Sequence, residues 1–243
     1  MPASYLIVGG SSDIALILAK RLLKAQHNVT VLARDIDRCS EIEALGAVII
    51  QGDALDPLAV STAVQVTKER GDESIAGVAH LVGSLLIRPP HAVKIDAFNE
   101  VIHTNLSTAF LTLSTASKVM LRSGGGRLVF ISSVAASLGL VNHEAIAAAK
   151  GGIESMVRSA AATYSQRNIR VNAIAPGLTE TRLAEAILKS DATREAAVGM
   201  IPSKRINQPD EIASTVEWLL CGAPDNITGQ VLHLDGGMSN LRN

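Results

Sequence analysis

The sequence predicts an α/β fold: one doubly wound, Rossmann-type domain with a seven-stranded, mainly parallel sheet and helices on both faces. Three observations carry this. Seven short apolar runs recur along the 243 residues. Helix-length segments separate them. The runs are continuously apolar rather than alternating, which marks strands buried on both faces. The length suits a single domain over 1–243, without a second.

The strands are expected at "SYLIVGG" (4–10), "NVTVLAR" (28–34), "AVIIQGD" (47–53), "GVAHLVG" (77–83), "GRLVFISS" (126–133), "RVNAIAPG" (170–177) and "QVLHLDGG" (230–237). The helices are expected at "DIALILAKRLLKAQ" (13–26) and near 54–70, 95–122, 143–167 and 209–221. Each has helical apolar spacing or small residues along one face. Trp218 reads as core. The most irregular stretch is 178–208, an excursion after a late strand that in such a fold covers the ligand.

Composition excludes several classes. Apolar residues make up 47% of the chain and aromatics only 2%, with a formal net charge of −1. Neither a basic surplus nor stacking platforms point to nucleic acid. No run approaches the length of a membrane span. Cys39 and Cys221 are isolated, which suits a reducing cytoplasm. The start "MPASYLIVGG" lacks the basic and apolar regions of a signal peptide. None of the histidines or cysteines is at metal-ligand spacing, so no metal is expected.

Ligands of doubly wound sheets bind outside the carboxyl ends of the strands. The first turn, "GGSSDIA" (9–15), lies there. Its spacing approximates GxxxGxG, with Gly9 kept, Asp13 in the second glycine slot and Ala15 in the third. Gly9 suits a tight turn. Ser11, Ser12 and Ile14 place backbone N–H groups at a helix N-terminus, where a pyrophosphate is favoured. Asp13 has two readings. It stabilises the helix as an N-cap, or it competes with phosphate for the same dipole. After the second strand, "VLARD" puts Ala33 where an NAD site carries a carboxylate, and Arg34 follows. A guanidinium there favours NADP(H) over NAD(H). Asp35 is a candidate cap for the next helix.

The later motifs resemble the short-chain dehydrogenase/reductase family, and the resemblance spans nearly the whole chain. "RVNAIAPG" with Thr179 and Thr181 resembles the family's PG segment. "IPSKRINQPDEIA" (201–213) and "NITGQVLHLDGG" (226–237) resemble its C-terminal signature. "GDALD" (52–56) resembles the segment whose aspartate holds the adenine, here Asp53 followed by Ala54. The resemblance implies that Gly83, Pro176, Gly177, Thr179 and Thr181 meet the cofactor. It implies catalytic roles for Asn105 in "TNL", Ser133 in "FISS" and Lys150, which also grips the nicotinamide ribose.

The departures are equally specific. The family's Asn-Asn-Ala-Gly is "HLVG" (80–83), where only Gly83 remains. Four residues before Lys150, and thirteen after Ser133, the family has a tyrosine that moves protons; this chain has Ile146. Tyr164 lies 18 residues further along the same helix, about 27 Å away, and Tyr5 begins the first strand. His143 stands one helical turn before Ile146, and an imidazole suits acid–base work near neutral pH. Glu144 is the alternative proton donor. A purely structural reading makes Asn142 the N-cap, with His143 and Glu144 in the first turn.

Three functions follow as alternatives: an NADP(H)-dependent oxidoreductase for a small apolar carbonyl or alcohol; a nucleotide-binding relative without turnover; and non-redox chemistry in the same pocket. Ser84, Leu85, Leu86, Val134 and Ala135 are expected to line the substrate pocket with the 178–200 stretch. The resemblance implies a homodimer or homotetramer through the 95–122 and 143–167 helices.

Overall fold

The computed structural model describes residues 2–241. All seven expected strands form: β1 Ser4–Val8, β2 Asn28–Ala33, β3 Val48–Gln51, β4 Gly77–His80, β5 Gly126–Ile131, β6 Ile169–Pro176 and β7 Val231–Leu234. They make one sheet in the order β3-β2-β1-β4-β5-β6-β7. Every pairing among them is parallel. The chain winds outward from β1 in one direction and from β4 in the other, so the topological switch lies between those two strands.

Successive strand residues face opposite sides and each side has its own core. Along β1, Leu6 and Val8 pack with helices α3 (Pro57–Arg70), α5 (Thr108–Met120) and α6 (Glu144–Tyr164), while Tyr5 and Ile7 pack with α1 (Asp13–Lys24) and α8 (Pro209–Glu217). All five β1 residues are buried. That explains the unbroken apolar runs.

Several boundaries differ from the sequence expectation. The 95–122 helix is two helices, α4 (Ile95–Ile102) and α5, joined by a π turn over His103–Ser107. The 209–221 helix also ends in a π turn, Trp218–Gly222. Trp218 is not core but 41% exposed. A five-residue helix, α2 (Ser40–Ala44), follows β2. Asp35 does not cap: the 3-10 turn Asp37–Cys39 starts from Ile36 with no side-chain cap. The irregular 178–208 stretch holds helix α7 (Asp191–Gly199), closed by a reciprocal cap between Ser190 and Thr193. No helix among the described residues is long and apolar enough to cross a membrane.

Candidate active site

The carboxyl ends of the strands open into one cavity of about 920 Å³. Its walls come from the β1–α1 turn, the ends of β2 to β6 and the segment after β6. Volumes in this range hold a cofactor-sized ligand. Of the residues expected at the cofactor, Gly9, Ser11, Ser12, Ile14, Arg34, Asp53, Ala54, Gly83, Lys150, Pro176, Gly177, Thr179 and Thr181 all face it. The expected substrate wall is there too, as Ser84, Leu85, Val134 and Ala135, whereas Leu86 packs behind it against the Ile146 cluster.

At the β1–α1 turn, Gly9 has φ +86, and a Cβ there would stand 2.8 Å from the Val82 nitrogen. A Cβ on Gly177 would stand 2.9 Å from the Asp235 Cα. Both glycines are therefore required by close packing of one backbone segment on another, the β1–α1 turn on the end of β4 and the segment after β6 on the stretch after β7. Helix α1 is capped by Ser12, whose Oγ accepts from Ala15 N at 3.3 Å, and not by Asp13. Asp13 instead lies between two arginines. Arg38 Nη2 donates to its Oδ1 at 2.9 Å. The Arg182 backbone N–H donates to its Oδ2 at 2.8 Å, and Arg182 Nε stands 3.4 Å from Oδ1. Both guanidiniums also donate to the Ser11 carbonyl. One carboxylate between two guanidiniums leaves a net positive charge beside the helix N-terminus, so Asp13 does not repel an anion there on balance. Neither Arg38 nor Arg182 was legible as a site residue: Arg38 stands in no motif, and Arg182 lies one residue beyond the Thr179–Thr181 stretch.

At the far end, Arg34 pairs with Asp53 at 3.6 Å, both largely exposed at the rim. Asp53 Oδ1 also accepts from Leu55 N at 2.8 Å, which holds the segment after β3.

At the inner end, Ser133, His143, Ile146 and Lys150 share the cavity wall. Lys150 is buried, its Nζ donates to the Ile131 carbonyl at 2.9 Å, and burial pushes its pKa down to about 8. Ser133 Oγ accepts from Ala135 N at 3.2 Å, which leaves its hydroxyl hydrogen for another partner. Ser132 points inward to Glu154 Oε1 at 2.8 Å. Ile146 is 2% exposed and packs with Val101, Ala135, Ala145 and Ala149.

The helix start differs from the expected one. His143 is itself the N-cap residue and its side chain caps nothing, while Asn142 adopts the left-handed conformation with φ +66. The His143 Nδ1 sits 2.7 Å from the Val141 carbonyl, which requires Nδ1–H and leaves Nε2 free. Glu144 lies on a separate small groove with Arg88 and Phe98, off the cavity wall. Neither Tyr5 nor Tyr164 lines the cavity; Tyr164 meets Ser117 at 3.4 Å instead.

Asn105 sits in the π turn, fully buried and behind the wall. Its Nδ2 donates to Ser84 Oγ and to the Val101 carbonyl, each at 2.9 Å, and its Oδ1 accepts from Ser84 N at 3.2 Å. Its geometry is that of a brace for Ser84. Behind it, His80 bonds Thr112 at 3.0 Å and Thr108 at 3.1 Å, and desolvation holds its pKa down to about 3. The buried imidazole is therefore neutral and ties β4 to α5. Among the described residues, no group of three or more His, Cys, Asp or Glu side chains is arranged to hold a metal.

The family model described as Enoyl-(Acyl carrier protein) reductase matches residues 9–239. The chain is 32% identical over 235 residues to the 3-oxoacyl-[acyl-carrier-protein] reductase MabA of Mycobacterium tuberculosis, covering 97% of this chain and 92% of that one. It is 31% identical to the 3-oxoacyl-[acyl-carrier-protein] reductase FabG of Salmonella typhimurium, with 96% of each covered. Among solved structures, a short-chain type dehydrogenase/reductase from Mycobacterium ulcerans superposes with a TM-score of 0.92 at 29% identity, covering 100% of this chain and 92% of that one. Levodione reductase does so at 0.90 and 28%, covering 99% and 98%. The fold, the cavity and these matches agree: the chain belongs to the short-chain dehydrogenase/reductase family.

Proposed function

We propose that this protein is an NADP(H)-dependent oxidoreductase that interconverts a carbonyl and an alcohol on a small, largely apolar substrate, with Ile146 in the place of the family's tyrosine and His143 as the proton donor. The observation that carries this reading is the shared wall of Ser133, His143, Ile146 and Lys150. Binding without chemistry would not need these groups together.

The cofactor's adenosine end would lie by Arg34, Asp53 and Ala54, its phosphates against Gly9, Ser11, Ser12 and Ile14, and its nicotinamide end by Gly83, Pro176, Gly177, Thr179 and Thr181. These residues line one cavity of about 920 Å³, which fits such a ligand. When bound, NADP(H) supplies or accepts the hydride at the substrate carbon. The Arg34 guanidinium favours the 2′-phosphate form, although Asp53 shares it.

The chain's own residues handle the oxygen. Ser133 uses its free hydroxyl hydrogen to hold the substrate oxygen. The Lys150 ammonium, fixed by the Ile131 carbonyl, holds the nicotinamide ribose and contributes positive charge where negative charge develops. His143, with Nδ1–H anchored on Val141, donates a proton from Nε2 during reduction and accepts one there during oxidation. Asn105 braces Ser84, which lines the cavity.

A second reading is binding without turnover, favoured by the tight apolar seat of Ile146. The experiment that separates the two is NADPH titration by fluorescence, followed by turnover against a panel of ketones and aldehydes. Turnover that falls on His143→Ala supports the oxidoreductase with this proton donor. Tight NADPH binding without turnover, unrestored by Ile146→Tyr, supports the second reading.

A further inference from the structure

The glycine turn and the segment after β6 meet at the cavity wall through charge. Arg182 makes three ties to the turn: its backbone N–H to Asp13 Oδ2 at 2.8 Å, its Nε 3.4 Å from Asp13 Oδ1, and its Nη2 to the Ser11 carbonyl at 3.2 Å. Arg38 steadies the same carboxylate from the other side at 2.9 Å. Ser11, Asp13, Thr181 and Arg182 all face the cavity. The bridge thus joins the α1 N-terminus to the Thr179–Thr181 stretch at the cavity wall; in the cofactor reading above, the pyrophosphate lies beside it.

The base of the covering segment is held separately. Thr179 and Asn207 form a parallel bridge. Glu180 N donates to the Asn207 carbonyl at 2.9 Å, and Asn207 N to the Leu178 carbonyl at 3.0 Å. Glu180 is also clamped by Arg194 at 2.6 Å. The part beyond Thr181 is joined to the glycine turn by the Arg182 ties. A glycine in slot 13 offers no such anchor; the carboxylate there makes one, and the two arginines offset its charge.

We propose that Asp13 and Arg182 form a strap across the dinucleotide groove that retains the bound cofactor and opens for its release. The strap rests on the cofactor reading above. Arg182 is exposed and Asp13 partly so, and ion pairs that water reaches exchange readily, which suits a contact that must open on every cycle.

The test is the dissociation rate of NADPH and of NADH, measured by stopped-flow fluorescence after displacement, for the wild type and for Asp13→Asn, Arg182→Gln and the double variant. The two dinucleotides share the pyrophosphate and differ at the ribose phosphate. Each single variant is expected to speed release of both by about twofold to fivefold, the range of one partly exposed ion pair. The double variant is expected to be no faster than the faster single one, because both remove the same bridge. Added salt is expected to speed release from the wild type but hardly from the double variant. Arg182→Lys, which keeps the charge and the backbone donor, is expected to fall between wild type and Arg182→Gln. Unchanged release rates overturn the strap, as do rates in the double variant that multiply the two single effects. An effect confined to NADPH also overturns it, assigning the arginines to the ribose phosphate. A wild type that binds neither dinucleotide overturns the cofactor reading and the strap together.

Discussion

At the scale of single residues, the proposed chemistry rests on His143 and Lys150. His143→Ala is expected to lower kcat by about 10² to 10⁴, the usual contribution of a placed general acid, while leaving NADPH affinity nearly intact; steady-state kinetics beside fluorescence titration checks both. Lys150 gives a pH signature. Its pKa is pushed down to about 8 by burial, so it is charged below that pH and neutral above it. If its ammonium is needed, kcat/KM falls as pH rises through about 8, some way below the 10.5 of a solvated lysine. A profile flat to pH 10 would remove the ammonium from the mechanism. Part of the site was legible from residue types and spacing alone: Ser133, His143 and Lys150 do share a wall. The His143 side chain's exact partner was not, because the backbone enters α6 through a left-handed Asn142 and makes His143 the cap position. The place of Glu144 off the wall was legible, since adjacent helical residues point to different faces.

Elements place those residues, and their ends were the least legible part. The strands were readable because burial on both faces leaves unbroken apolar runs. The π turn at His103–Ser107 was not, since nothing in "HTNLS" breaks helical apolar spacing; it buries Asn105 against Ser84 and takes it off the wall. Helix α7 was overlooked although "SDAT" carries a capping pair, Ser190 and Thr193, because the segment around it lacks a sustained apolar stripe. The Arg38–Asp13–Arg182 cluster joins the first residue of α1 to two 3-10 turns elsewhere in the chain, so only the fold reveals it. The glycine turn yields a stability test. Gly9 has φ +86 with the Val82 nitrogen 2.8 Å from an added Cβ. Gly9→Ala is expected to cost about 1–3 kcal/mol from the backbone alone, seen as a lower Tm; an unchanged Tm would mean the turn relaxes freely.

Across the whole molecule, the sheet order sets the cavity at the strand ends and the two cores hold it rigid. His80 links one core to the site. It is neutral in the fold because desolvation holds its pKa to about 3, while in the unfolded chain it titrates near 6.5. As pH falls below 6.5 the unfolded state takes up a proton that the fold refuses, so stability is lost between about 6.5 and 3. Urea unfolding across that window is expected to show a steeper loss in the wild type than in His80→Asn, which has no such group; equal slopes would place the titrating histidine elsewhere. The family's oligomers add a further expectation at this scale, pairing through α4–α5 and α6. A sedimentation coefficient for a dimer or tetramer would meet it and one for a monomer would not.

The most direct measurement is the rate of NADPH oxidation with a reducible ketone by the wild type and by His143→Ala. The account predicts turnover in the wild type, reduced by at least about a hundredfold in the variant with NADPH still bound. Equal rates in the two proteins would contradict it.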